Sequence, residues 1–526
     1  MKTPLKLAAL TALLLPMAAA QSDIDPNGKA TFVTTAEPTF NPWSPNSFVE
    51  SNLLNELLFP GLTRWDKNLR PSPDLATSWK ASNDGMKWTF NLRRGVKWHD
   101  GKPFTAQDVA FTFNDIVLNK ELGANQSSEW RNSVEKVNVV NPYTVEFVLK
   151  KPWASLPTYL GYYSGILPKH KFEGVKDPWK FVEFNKQNPV GTGPFKVVRV
   201  SSGASVRLER NDAYWGGKPK LKEIEFKIIP DSNAQLAQLL SGDVDLISVA
   251  NPETLDRLKS NPNLVVDLQT QNLYYWISLN QEDPRFRDVK VRQALLYALD
   301  RPAMIKSVLR GYAQPATGPI APIQKNFYTN KVSQYPFDPA RAKKLLAEAG
   351  WKPGPDGVLQ KDGKPFVIEM PTAQYQQLLP ITLLIQQYWK NIGVKAELKT
   401  MDWNSYIQQV VVKRDYQGTV NWWSTPADPD VLPYYASSSA GTGYNIPGYK
   451  NPALDRLLEE GRRATSTSAR KKVYTEAQEL MAKELPYLYL WYPQMIIVKN
   501  KRLQGMRGVT QAADFQYAHE WYVTRK

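Results

Sequence analysis

PSPDLATSWKASNDGMKWTFNLRRGVKWHDGKPFTAQDVAFTFND, residues 71–115, joins a strand of aromatic alternation, a basic turn and a capped helix in one fixed order. Trp88, Phe90 and Leu92 alternate with Thr89, Asn91 and Arg93, the period of a half-buried strand. Asn83-Asp84-Gly85 marks a turn before it, and Gly101-Lys102-Pro103 breaks the chain after it. Thr105 to Asp108 then reads as a capping box ahead of Val109, Phe113, Ile116 and Val117 at helical spacing. Most of these side chains are expected to fill a core rather than touch a ligand.

Outward from this segment, strands and helices alternate irregularly between many Pro and Gly breaks, which predicts a mixed α/β architecture. Val137–Val140 and Thr144–Leu149 read as a hairpin around Asn141-Pro142. Ser232 is read as the cap of a helix that Gly242 stops, with a strand after it. Asn272–Asn280 is read as the strand that crosses between lobes. Near the C-terminus Asn451–Gly461 and Ser466–Glu484 are helical, and Tyr487–Tyr492 and Met495–Val498 read as two strands.

The first twenty residues have the form of a secretory signal. Lys2 and Lys6 precede an apolar run, Leu7–Leu15, which Pro16 ends; Ala18-Ala19-Ala20 supplies small residues for cleavage. The run is too short to span a bilayer. The expectation is an exported, soluble protein that starts at Gln21. The chain has no cysteine, so it lacks the residue that carries a lipoprotein's lipid, and a periplasmic location is expected. Thiol nucleophiles, thiolate metal sites and disulfides are excluded as well.

A length of 526 residues predicts about three domains. The net charge of +16 is spread along the chain, and its short clusters, Arg462-Arg463 and Arg470-Lys471-Lys472, fall on predicted helices and read as solvated faces. Nucleic-acid binding is therefore not expected. Seventeen Trp and 25 Tyr suit an aromatic-lined cleft as well as a core.

Val190-Gly191-Thr192-Gly193-Pro194-Phe195, Leu208-x-Arg210-Asn211-x-x-Tyr214-Trp215, QLLSGDVDLI at 238–247 and FRDVKVRQALLYALDR at 286–301 follow the opening segment in order. Together they resemble the motifs of the family 5 extracellular solute-binding proteins, the receptors of ABC importers for peptides, nickel and oligosaccharides. The resemblance implies a two-lobed periplasmic binding protein fold of the α/β class, with mixed sheets, a hinge and an extra domain inserted in the first lobe. On that pattern 21–69, 188–271 and 495–526 build lobe one, 70–187 the insert and 272–494 lobe two. It also implies a monomer that binds a solute between its lobes, catalyses nothing, needs no cofactor and passes the solute to a membrane permease.

For the site, the resemblance points to NWWSTPADPD at 421–430. Peptide-binding members carry a Trp there and, three residues on, an Asp that pairs with the peptide ammonium. Trp422 matches the Trp, but Thr425 stands in the Asp position. A buried ammonium without a carboxylate costs several kcal/mol, of the order of 3–5. Either the solute brings no ammonium or Asp428, Asp430 or Glu37 supplies the charge; Asp428-Pro429-Asp430 reads first as a turn that caps the next helix, and Glu37 reads equally as a surface-loop carboxylate. Trp403 is expected beside Trp422, and Tyr375 and Tyr435 are further lining candidates. The solute class stays open between peptides, which the family favours, and oligosaccharides or other amine-free solutes, which Thr425 favours.

Enzymatic motifs are missing. His99, His170 and His519 have no metal-ligand spacing, and Gly357–Pro365 lacks the spacing and hydroxyl of a phosphate loop. There is no GxSxG elbow. An exported glycoside hydrolase with paired carboxylates is the remaining enzymatic alternative, and no motif supports it.

Overall fold

The computed structural model describes residues 23–47, 49–162, 164–249, 254–375, 377–425, 427–440, 444–508 and 510–525. The expected signal segment lies outside them.

The opening segment folds as its pattern dictates. Lys87–Leu92 is a central strand of an antiparallel sheet in the order 76–81, 87–92, 144–149, 134–141. Trp88, Phe90 and Leu92 point into the core. Thr105 caps the next helix, Ala106–Phe111, and its N–H donates to Asp108 Oδ2 at 2.9 Å, which completes the capping box. The helix does not run on regularly: Thr112–Val117 widens into a π-helical turn that still buries Phe113, Ile116 and Val117. Glycines of the 190–195 motif allow a close approach. A Cβ on Gly191 or Gly193 would collide with the backbone of Leu58 or Leu57.

A second sheet pairs Lys29–Thr34 in parallel with Glu223–Ile228, followed by Ser205–Arg210 and Phe195–Ser201 in antiparallel order. Asp245, of the 238–247 motif, locks this unit together. Its fully buried carboxylate accepts from the Thr31 N–H at 2.8 Å and from Arg502 Nη2 at 2.7 Å. It thereby ties the first strand, the middle of the chain and the C-terminal segment. In the adjacent helix, Ser232–Ser241, the cap is Asp231 rather than the expected Ser232, because the Asp231 carboxylate accepts from the Ala234 N–H.

The hydrophobic residues divide into two main cores. One draws on residues 30–226 with Leu246, Ile497, Leu503 and the tail from Phe515 to Val523, so the sheet containing the opening segment shares a core with the first strand and the C-terminus. The other draws only on residues 274–492. The long strand Leu488–Asn500 joins them. Gln494–Asn500 pairs with Leu264–Thr270, and Ile496–Lys499 with Leu246–Val249 on the other edge. Leu488–Trp491 pairs with Tyr275–Ile277, and Trp491–Pro493 with Ala313–Pro315.

Two expectations are corrected here. The strands read as Tyr487–Tyr492 and Met495–Val498 are one continuous strand, since Pro493 sits within it and pairs with Ala313. That strand makes the crossing between cores. Leu273–Leu279 pairs along its whole length with Gly418–Ser424 in the second core, and only the short passage 271–272 before it spans the gap.

Arginines of the 286–301 motif act as struts in the second core. Arg292 donates to the carbonyls of Glu484, Leu485, Phe286 and Arg287, and Arg301 to those of Ala316, Tyr335 and Tyr489. Buried guanidinium donors are thus matched to backbone acceptors that would otherwise be orphaned.

Candidate functional site

Three aromatic rings are brought together from the carboxyl ends of three strands. Val367–Ala373 and Lys395–Met401 run in parallel, and the Gln374 N–H donates to the Met401 carbonyl to hold their ends in step. Tyr375 follows the first strand and Trp403 the second; Trp422 lies near the end of Gly418–Ser424. Asp402 caps the short helix Trp403–Tyr406, and the Tyr406 hydroxyl donates to the Val420 carbonyl at 2.8 Å, which docks that helix on the third strand.

The rings form a compact triangular cluster in which each touches the other two. Tyr375 and Trp403 have centroids 4.6 Å apart, Trp403 and Trp422 are 5.5 Å apart at 13°, and Tyr375 and Trp422 are 6.1 Å apart at 15°. Tyr406 backs Trp403, and Tyr275, paired in register with Trp422, backs that ring and is itself backed by Trp491. Tyr375 is 40 % exposed, while Trp403 and Trp422 are half-buried. Such a cluster offers apolar aromatic surface. Tyr435, the other aromatic candidate, is not part of it. Its ring is fully buried and its hydroxyl is taken up by those of Tyr274 and Tyr489, so it belongs to the core.

Asp428 and Asp430 have partners inside the protein. Arg470 reaches Asp428 Oδ2 at 2.8 Å through Nη1 and Oδ1 through Nη2; Arg462 reaches Asp430 at 2.9 Å and Glu129 at 2.8 Å. Ser155 donates to Asp428 Oδ1 at 3.0 Å, and the Trp153 indole N–H donates to Asp430 Oδ2 at 3.2 Å. Burial would lower the Arg462 guanidinium, but Asp430 and Glu129 beside it outweigh this and raise it well above its usual value. The reading of these arginines as solvated faces is therefore corrected. The basic clusters put one member each, Arg462 and Arg470, into a buried network, and leave Arg463, Lys471 and Lys472 outside. Asp428, offered above as an ammonium partner, is already neutralised by Arg470. Glu129, Trp153 and Ser155 come from the segment around the 144–149 strand, so the network bridges the two cores.

Thr425 is 2 % exposed. Its N–H donates to the Asn272 carbonyl at 3.1 Å, and its hydroxyl and carbonyl accept from Asn272 Nδ2 at 3.0 and 2.7 Å. Glu37 follows the first strand, Lys29–Thr34, is half-buried and accepts from the Ser202 hydroxyl at 2.9 Å. Ala427 and Ile323 pack in one cluster with Trp65, Leu69, Tyr162 and Ala513. Sequence reasoning missed Asn272, Gln324, Tyr275 and Trp491; only the aromatic pair carries a signal, as alternate residues of strands rich in Trp and Tyr.

Residues 70–445 match the bacterial extracellular solute-binding proteins, family 5 Middle. The chain belongs to this family. It is 32 % identical over 499 residues to the oligopeptide-binding protein AppA of Bacillus subtilis (strain 168), a match covering 93 % of this chain and 90 % of that one. Among solved structures, that of B. subtilis AppA in complex with a nonapeptide superposes with a TM-score of 0.80 at 30 % identity, covering 95 % of this chain and all of that one. The periplasmic binding protein DppA of Helicobacter pylori in complex with peptide STSA gives a TM-score of 0.81 at 26 % identity, covering 97 % and 100 %. The fold is thus the two-lobed α/β fold of periplasmic binding proteins. Family members are solute-binding receptors of ABC importers, extracellular or periplasmic. Among the described residues no helix is long and apolar enough to cross a membrane.

Proposed function

We propose that this chain captures a peptide between its two lobes and delivers it to the permease of an ABC importer, without chemical turnover. The cluster of Tyr375, Trp403 and Trp422 carries the reading, because it offers partly exposed aromatic surface on the second core. Relatives solved with a nonapeptide and with the peptide STSA across nearly the whole length of the chain support peptide as the solute class. Trp422, Trp403 and Tyr375 supply apolar contact, Thr425 takes the position of the family's acidic residue, and Glu37 offers a carboxylate from lobe one. Asp428 and Asp430 are assigned to the scaffold.

The lobes are proposed as 21–69, 188–271 and 495–526 for the first, 70–187 for its insert and 272–494 for the second. Exchange of partners along Leu488–Asn500 and the separation of the two cores support these limits. A monomer exported to the periplasm, with its signal removed after Ala20, completes the reading.

Calorimetry with peptides of two to nine residues, followed by chromatography of the recovered ligand, tests it. Saturable binding at one site with the peptide recovered intact is expected. Binding of oligosaccharides but not peptides would move the assignment to an amine-free solute. Hydrolysed ligand would return the protein to the enzymes.

A further inference from the structure

Gln324 is 4 % exposed, and its side-chain oxygen has no hydrogen-bond partner among the described residues. Its neighbours determine which end of the amide this is. The Thr425 carbonyl can only accept, so the atom that Asn272 directs to it at 2.7 Å is Nδ2. Asn272 Oδ1 is then left facing Gln324 at 2.7 Å and needs a donor, which is Gln324 Nε2. Oε1 is therefore a buried acceptor without a donor, a state that favours any N–H brought to it.

This oxygen sits at a telling place. Asn272 links it to Thr425, the position where a carboxylate would be expected. Trp422 lies three residues before Thr425, which directly follows the strand Gly418–Ser424. Ile323, the residue before Gln324, packs in the cluster with Trp65, Leu69, Tyr162 and Ala513. The nearby carboxylates, Asp428 and Asp430, are held by Arg470 and Arg462.

We infer that Gln324 Oε1 accepts a hydrogen bond from the bound solute and that, being neutral, it selects an uncharged amide N–H over an ammonium. Burying an ammonium against a neutral acceptor leaves its charge uncompensated, whereas an amide N–H is satisfied by one oxygen. The ligand class is a peptide that presents an acylated amino terminus, or a mid-chain peptide bond, to this point. The inference rests on the peptide reading above.

The test uses a pool of tri- to pentapeptides in which each sequence is present free and N-acetylated. Protein is equilibrated with the pool, and retained peptide is measured by mass spectrometry. Wild type is expected to retain acetylated peptides at least as well as free ones. Gln324→Met, which removes the acceptor, should lower retention of the acetylated set about tenfold. Thr425→Asp keeps an acceptor for Asn272 and adds a carboxylate; it should shift the retained ratio toward free peptides about tenfold. Melting curves confirm that both variants are folded. Tenfold preference of wild type for free peptides, unchanged retention by Gln324→Met or an unchanged ratio in Thr425→Asp would overturn the inference while leaving the peptide reading intact. Retention of neither set by wild type would overturn both.

Discussion

Trp422 touches Tyr275, Tyr375 and Trp403 at once, so its ring is central to the proposed binding face. Trp422→Ala is expected to weaken peptide binding about tenfold, about 1.4 kcal/mol, with little change in melting temperature because the ring is only half-buried. Calorimetry and a thermal melt check this; an unchanged affinity would remove Trp422 from the site. His99 sets a different single-residue expectation. Its Nδ1 accepts from the Gly191 N–H at 3.2 Å, and its Nε2 contacts the Gly193 carbonyl at 3.0 Å. Desolvation by the surrounding chain pulls its pKa down to about 4 from 6.5. The unfolded chain therefore binds the proton first as pH falls, so this contribution to stability is complete above about pH 6.5 and is lost as pH drops through about 4. His99→Gln should flatten the stability profile in that window; an unaltered slope would show that His99 is not its source.

At the scale of the element, the network of Asp428, Asp430, Arg462, Arg470 and Glu129 makes the firmest prediction. Asp428→Leu leaves the Arg470 guanidinium buried without its partner and should destabilise the protein by about 3–5 kcal/mol, measured by denaturant unfolding. The double variant Asp428→Leu with Arg470→Leu should recover much of that loss, because a buried pair replaced by apolar groups is nearly neutral. Independent, additive losses would contradict the pairing. This network also shows where the sequence is legible. Phe90 and Leu92 alternate visibly, Thr105 and Asp108 stand at capping distance, and the family motifs place the elements in order, so the opening sheet and helix could be read directly. A strand that changes partners at Pro493 could not, because proline ordinarily signals a break. Nor could Arg462 and Arg470 be told from Arg463 and Lys471, since which helix face is buried depends on a contact with Glu129 and Ser155 some three hundred residues away. The Trp403–Trp422 pair was legible from its motif, while Gln324 lies in a loop without any pattern.

Over the whole molecule, a two-segment chain link, Leu488–Asn500 and the passage before Leu273, joins the two cores, which the Glu129–Arg462 and Ser155–Arg470 contacts also bridge. Such a link permits hinge closure about a bound solute. Small-angle scattering should show a smaller radius of gyration with saturating peptide than without it; identical curves would argue for a cleft that is already formed. The central claim, that the solute is a peptide held intact, is tested most directly by the ligand itself. The protein is purified without refolding, denatured, and the released small molecules are identified by mass spectrometry. Short peptides in near-stoichiometric amount are expected. A released glycan, or any solute that contains no peptide bond, would contradict that claim.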